Sequence, residues 1–363
     1  MIDRKMFAHF DWLTLSTVMT LTIIGFASVY SATHAQQPWI YQKEVYWIVI
    51  GLAFMIVAVV LNYSLLDNFG YVFYALANLS LVLVYIIGSS FGGARRWIDL
   101  GFFSLQPSEI AKLALIVVLA KYFSAKPTPQ RGLGVKDLVL PGLLMLLPFI
   151  LIAKQPDLGT GIVLWMIFWS MLLIVRLRLS TIIGLVVTFS LAAPLFWTML
   201  KDYQKARLSS FLNPGADPLG SGYHVLQSKI AIGSGGLFGK GFTAGTQGNL
   251  RFLPEHHTDF IFAAFAEEWG LLGATIVLGL FLGLIISGLN TANNSKDRFG
   301  FLLAFGITAM FFWQVLINLG MVSGILPVVG VPLPFISYGG SFLITSLISA
   351  GLLLNVYMRR FIF

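Results

Sequence analysis

Runs of apolar residues broken by short polar segments set the plan of this chain. Ten runs cover approximately 12–31, 46–62, 71–89, 108–124, 138–153, 158–175, 179–199, 260–288, 299–322 and 341–358. An α-helix needs about 20 mainly apolar residues to cross the hydrocarbon core of a bilayer. No run alternates with the period of two that a barrel strand requires, and no short repeat recurs. The pattern predicts an all-α integral membrane protein of about ten transmembrane helices, a single polytopic unit over residues 1–363. The first run follows Arg4 and Lys5, as a cleaved leader would. It is long for a leader and no A-x-A site closes it, so the reading is a retained span.

Composition narrows the class further. Apolar residues make up 57% of the chain and charged residues 10%, with a mean hydropathy of +0.85. A soluble domain carries roughly 25% charge, and so little charge would leave a large apolar surface in water. An ordinary soluble enzyme, a disordered chain and a nucleic-acid binder are excluded. The formal charge of +8 is a matter of topology. With the N-terminus cytoplasmic, twelve Lys and Arg fall inside: Arg4, Lys5, Lys121, Lys126, Arg131, Lys136, Arg176, Arg178, Lys296, Arg298, Arg359 and Arg360. Four fall on short outer loops: Lys43, Arg95, Arg96 and Lys154. Both termini are therefore expected in the cytoplasm. Segments 89–107, 154–161 and 200–258 then face outward. The last is too long for a simple connection, and its aromatic and apolar residues predict an ordered, membrane-hugging loop. Cysteine is absent, so there is no disulfide framework, thiolate zinc site or thiol nucleophile.

Ionisable groups at membrane depth are costly and are functional candidates by default. The fourth span opens with Gln106-Pro107-Ser108-Glu109, and Lys112 follows Glu109 by three residues on one helical face. The pair reads as self-neutralising, as the polar wall of an outward cavity, or as both. Arg95 and Arg96 lie on the side that the positive-inside rule disfavours. Either an anion, such as a phosphate gripped bidentately, or a lipid headgroup or Asp99 holds them there. Between spans five and six, Lys154-Gln155-Pro156-Asp157 breaks the helix among polar groups, as a tight turn or the wall of a wet cavity. The large loop contains Gly222-Tyr223-His224 with Gln227-Ser228, then a glycine-rich stretch through Lys240. Such backbone forms compact turns or anion-binding nests. It is not a phosphate-binding Walker loop, because Ser234 stands where a glycine is needed and Gly241 follows Lys240.

Leu253-Pro254-Glu255-His256-His257-Thr258-Asp259 leads into the eighth span. Adjacent His256 and His257 would point apart, so no metal site is firmly assigned. Asp259 is read as a general base, as a ligand of a divalent ion held against phosphates, or as a helix-terminus carboxylate. Glu267 and Glu268 lie deeper in the span, and at least one should face the bundle interior.

Taken in order, these segments resemble the SEDS (shape, elongation, division, sporulation) peptidoglycan glycosyltransferases over nearly the whole chain. The resemblance rests on Gly93-Ala94-Arg95-Arg96-Trp97, Gln106-Pro107-Ser108-Glu109, Lys154-Gln155-Pro156-Asp157-Leu158-Gly159, Gly222-Tyr223-His224 with Gln227-Ser228, Gly233-Ser234-Gly235-Gly236-Leu237, His257-Thr258-Asp259-Phe260, and Gly330-Val331-Pro332-Leu333-Pro334-Phe335 with Ser337-Tyr338-Gly339-Gly340.

The resemblance implies polymerisation of lipid II into β-1,4 glycan on the outer face of the bacterial cytoplasmic (inner) membrane during elongation. The donor is a polyprenyl-linked glycan, the bond forms with inversion, and undecaprenyl pyrophosphate leaves. The family's essential aspartate falls on Asp259, the expected catalytic residue. Arg95, Arg96, Glu109, Lys112, Lys154, Asp157, Arg207, His224, Gln227, Ser228 and Lys240 are the expected substrate-binding set. The cations among them suit a leaving pyrophosphate. A divalent cation, Mg or Mn, is compatible with the chemistry, and no organic cofactor is expected. The implied partners are a class B penicillin-binding protein of the PBP2 type, within an elongation complex, and membrane lipids. The alternatives are a division-type (FtsW-like) paralogue with the same chemistry, a lipid II flippase or other transporter, and a non-catalytic scaffold.

Overall fold

The computed structural model describes residues 10–35, 37–91, 94–99, 101, 104–126, 132–199, 205, 211, 221–246 and 257–360. Each of the ten apolar runs lies on a helix: α1 (Trp12–Thr33), α2 (Pro38–Val60), α3 (Ser64–Ile87), α4 (Pro107–Ala125), α5 (Val139–Lys154), α6 (Leu158–Ile174), α7 (Leu179–Met199), α9 (Ile261–Asn293), α10 (Arg298–Val322) and α11 (Gly340–Met358). Helix α8 (Ser221–Ser234) lies within the long 200–258 segment. Among the described residues seven helical stretches are long and apolar enough to cross a membrane: α1, α2, α3, α5 with its preceding turn, α9, α10 and α11. Helix α6 is apolar but shorter.

Local sequence explains most helix starts. Asp11, Asp157 and Asp297 cap α1, α6 and α10 with carboxylates that accept backbone N–H groups. Pro38 and Pro107 open α2 and α4, where a missing N–H costs nothing. Helix α2 begins eight residues before the run that predicts it, and α3 seven before. Polar residues such as Glu44 and Asp67 are compatible with helix but not with an apolar window.

Two features depart from the apolar pattern. Between α3 and α4 the chain forms an antiparallel sheet, β1 (Ser89–Phe91), β2 (Ala94–Asp99) and β3 (Ser104–Leu105), in the order β1-β2-β3. Its register sets Ser90 opposite Arg95 and Ile98 opposite Leu105. Helix α9 is interrupted at Gly270, whose φ of 65° and ψ of −164° are non-helical.

The core is built around α4, where Leu115–Ala120 are all fully buried. A helix that is apolar all round belongs at the centre of a bundle. Helices α2 and α11 approach closely through Gly51 against Leu347 and Gly351 against Met55. Hydrogen bonds sort the connections into two ends. At one end Tyr63 donates to Asp297, and Asn355 donates to the carbonyl of Ala58. At the other end gather β1–β3, the α5–α6 turn, the start of α9 and the 323–339 segment before α11, which together carry the candidate chemistry.

Candidate functional site

Asp157 is the hub of this end. Its side chain is buried, and it caps α6 by accepting the Thr160 hydroxyl at 3.0 Å. It also accepts Gln106 Nε2 at 3.3 Å and the Ser108 hydroxyl at 3.4 Å, both from the start of α4. Arg96 Nη1 stands 4.0 Å away. Strand alternation turns Arg95 outward to an exposed position, while Arg96 reaches the carbonyls of Gln155 and Pro156. Arg96 therefore pairs with Asp157, and Asp99 accepts the Gly101 N–H instead.

The wall continues into α4. Glu109 and Lys112 form an ion pair at 2.6 Å with both side chains buried. The Lys112 ammonium also lies 5.2 Å from the centre of the Phe342 ring on α11. Ser341, one residue earlier, accepts the Gln106 N–H and donates to the Ser104 carbonyl, each at 3.0 Å. The first turn of α11 is thus joined to β3 and to both ends of the α4 motif.

Asp259 enters through the 323–339 segment. Its Oδ2 lies 3.2 Å from where a Cβ on Gly330 would stand. The Val329 carbonyl comes within 2.5 Å of the Cβ position of Gly159, in the first turn of α6. One strap of backbone therefore separates Asp259 from the α6 terminus that Asp157 caps. The Asp259 peptide is held by Asn318, whose Nδ2 donates to the Asp259 and Val331 carbonyls at 3.0 and 2.7 Å. Its neighbours are held from the same strap. The Ser337 hydroxyl donates to the Thr258 carbonyl at 2.8 Å, and the Tyr338 N–H to the His257 carbonyl at 3.0 Å. The carboxylate is half-buried on a fully anchored backbone.

The remaining expected residues divide. His224 on α8 sets its ring 6.2 Å from that of Phe260, tilted by 49° and beside Asp259. Gln227 is half-buried on the same helix. Ser228 is completely buried, and its hydroxyl is spent on the Val322 carbonyl at 2.7 Å, tying α8 to α10. Lys240 pairs with buried Glu267 at 2.6 Å and also donates to Thr246. Lys154 is exposed at the end of α5. Arg207 and His256 lie outside the described residues. Glu267 and Glu268 are both buried, and Glu268 accepts the Ser31 hydroxyl at 2.5 Å.

The glycine-rich stretch docks on the broken helix. Lys240 and Gly241 donate backbone N–H groups to the Glu267 and Glu268 carbonyls, each at 3.0 Å. Leu271 donates its N–H to the Gly236 carbonyl at 2.9 Å, and Leu272 donates to the Leu237 carbonyl at 3.1 Å. The break at Gly270 frees these groups, and the loop satisfies them.

Sequence reasoning assigned no role to Asn318, Ser337 or Glu44. Asn318 carried a legible signal, an amide deep in an apolar run. Glu44 fell before the predicted second span and so was not read as buried.

Among the described residues no group of three or more His, Asp or Glu could hold a metal ion by itself. Mg2+ is usually bound through one or two carboxylates completed by substrate phosphates. Asp259 beside a pyrophosphate fits that donor set.

Comparison with known proteins gives a consistent picture. The family profile described as "Cell cycle protein" (FtsW/RodA/SpoVE) matches residues 5–361. Peptidoglycan glycosyltransferase MrdB of Escherichia coli K12 is 40% identical over 353 residues, 97% of this chain and 94% of that protein. Peptidoglycan glycosyltransferase RodA of Treponema pallidum is 33% identical, covering 97% and 98%. A solved chain from "Structural coordination of polymerization and crosslinking by a peptidoglycan synthase complex" superposes with a TM-score of 0.84 at 31% identity, covering 98% of this chain and 99% of that one. The Thermus thermophilus rod shape determining protein RodA superposes with a TM-score of 0.73 at 30% identity, covering 97% and 98%.

Proposed function

The chain belongs to the FtsW/RodA/SpoVE family of cell cycle proteins, and on that premise we propose that Asp259 is the base of its glycosyl transfer. The protein is a multi-pass membrane peptidoglycan glycosyltransferase. The observation that carries the assignment is the anchored, half-buried Asp259 carboxylate, one strap of backbone from a wall of buried Asp157, Glu109 and Lys112 and half-buried Arg96.

The reaction runs as one inverting displacement. Asp259 takes the proton from the 4-hydroxyl of the lipid II GlcNAc as that oxygen attacks C1 of the polyprenyl-linked glycan. The C1–O bond to phosphate breaks, and undecaprenyl pyrophosphate leaves with the electron pair. Arg95, Arg96 and Lys112 supply positive charge where the pyrophosphate charge develops. A divalent cation, Mg or Mn, when bound, would be held by Asp259 with phosphate oxygens and would neutralise that charge. In this reading ten crossings leave both termini in the cytoplasm and this end outside the bacterial cytoplasmic membrane. A class B penicillin-binding protein of an elongation complex is the proposed partner, seated near α9, α10 and the strap at Val331. The relative solved within a complex that couples polymerization to crosslinking supports that reading.

The test is lipid II polymerisation by the purified protein with its class B partner. Wild type should yield glycan, while Asp259→Asn and Asp259→Ala, equally folded, should yield none. Full activity in both variants would remove Asp259 from the mechanism. Wild-type protein that moves lipid II across vesicles without making polymer would point to transport.

A further inference from the structure

We propose that Asn318 is a positioning residue of the glycosyl transfer, spacing the Asp259 loop from the 323–339 strap and so fixing where the carboxylate stands against the wall at Asp157. The proposal rests on the catalytic reading of Asp259. Asn318 lies in the last two turns of α10, within an apolar run, and is completely buried. An amide there is costly unless its hydrogen bonds are made. Its Nδ2 spends both hydrogens on carbonyls of two different segments, Asp259 at 3.0 Å and Val331 at 2.7 Å. Its Oδ1 has no hydrogen-bond partner among the described residues. Turning the amide over would set that oxygen against both carbonyl oxygens, so the partners themselves fix which atom faces them. The side chain leaves its acceptor idle in order to make two donations.

Those two carbonyls belong to the segments that face each other at the carboxylate. A planar NH2 group has its two N–H bonds at a fixed angle, so one group sets the spacing of both segments. Beside Val331 stands Gly330, with φ of 73°, and a Cβ there would come 3.2 Å from Asp259 Oδ2. The carboxylate therefore closes against bare backbone, where no side chain can adjust the gap. The same strap lies on α6. The Cβ position of Gly159 is 2.5 Å from the Val329 carbonyl oxygen, 3.0 Å from that of Gly330 and 3.1 Å from Val331 Cγ2. Asp157 caps that turn and stands 4.0 Å from Arg96. Ser337 and Tyr338 tie Thr258 and His257 to the strap, but both belong to the strap and would move with it. Asn318 reaches from outside, with Ile317, Met321 and Val322 buried around it on α10, and refers loop and strap to one buried helix. Loss of its two donations would let Asp259 shift against Gly330 and the wall without removing any charge from the site.

The experiment measures kcat and KM of lipid II polymerisation per folded molecule, with the class B partner present, for Asn318→Leu and Asn318→Asp beside Asp259→Asn. Leu keeps the bulk of the side chain and loses both donors. Asp keeps the shape and sets oxygens where the nitrogen stood. Misplacing a reacting group by about 1 Å can cost about a hundredfold in rate. Each Asn318 variant should lower kcat at least about tenfold with KM within about twofold, because placement of the base acts on the transition state rather than on binding. A residue that only stabilised the fold would lower the yield of folded protein and leave kcat per folded molecule at the wild-type value. The proposal is overturned if a folded Asn318 variant keeps wild-type kcat, if KM rises along with the fall in kcat, or if neither variant folds. Activity remaining in Asp259→Asn would instead remove the catalytic reading on which the proposal rests.

Discussion

Glu109 and Lys112 carry the clearest single-residue chemistry. Both are buried, so each charge is tolerated only because of the other. Removing one partner of a buried pair costs about 3–5 kcal/mol, since the survivor is left uncompensated, while replacing both costs far less. Lys112→Met should therefore unfold at markedly lower temperature than wild type. Glu109→Leu combined with Lys112→Met should recover most of that loss. The double variant should still polymerise poorly, because the cation proposed to serve the leaving pyrophosphate is gone. Thermal unfolding in detergent and a lipid II assay separate the two effects. A double variant as unstable as the single one would contradict the pairing argument.

At the scale of elements, the broken helix α9 and the loop docked on it form one unit. Gly270 has φ of 65°, and a Cβ there would stand 2.4 Å from the Gly239 backbone nitrogen. Gly270→Ala adds strain and a backbone clash together, worth about 2–3 kcal/mol. The expected outcome is release of the 235–246 loop, read as faster limited proteolysis within it and a lower unfolding temperature. Unchanged cleavage would show that the contacts to Glu267 and Glu268 hold the loop without the break at Gly270.

For the whole molecule, the two ends of the bundle differ in chemistry, and the proposed orientation follows from that difference. The chain has no cysteine, so single introduced cysteines report their own exposure. Arg95 on β2 and Lys296 between α9 and α10 are both exposed, at opposite ends. In intact cells Arg95→Cys should react with a membrane-impermeant maleimide. Lys296→Cys should react only after permeabilisation. The reverse result would invert the orientation and place the site inside.

Much of this molecule was legible from its residues because helix formation in a bilayer is local. Every backbone polar group must be satisfied within its own segment, so a long apolar run is already a helix. The ten runs, the charge asymmetry, the Glu109–Lys112 pair and the break at 154–161 follow from neighbours in sequence. Partnership between distant polar groups does not. Asp157 meets Ser108 across 49 residues and Gln106 across 51, and Arg96 chooses Asp157 over nearby Asp99. Lys240 reads as a substrate cation until Glu267 is seen to occupy it. Ser228 reads as a ligand until its hydroxyl is seen on Val322. Glu44 reads as a loop residue until α2 is seen to start at Pro38 and to pack on α11. The residue pattern alone settles which long apolar runs are helices and which residues could do chemistry. Tertiary structure alone decided which helices lie side by side, and a buried polar group takes whatever partner that packing presents.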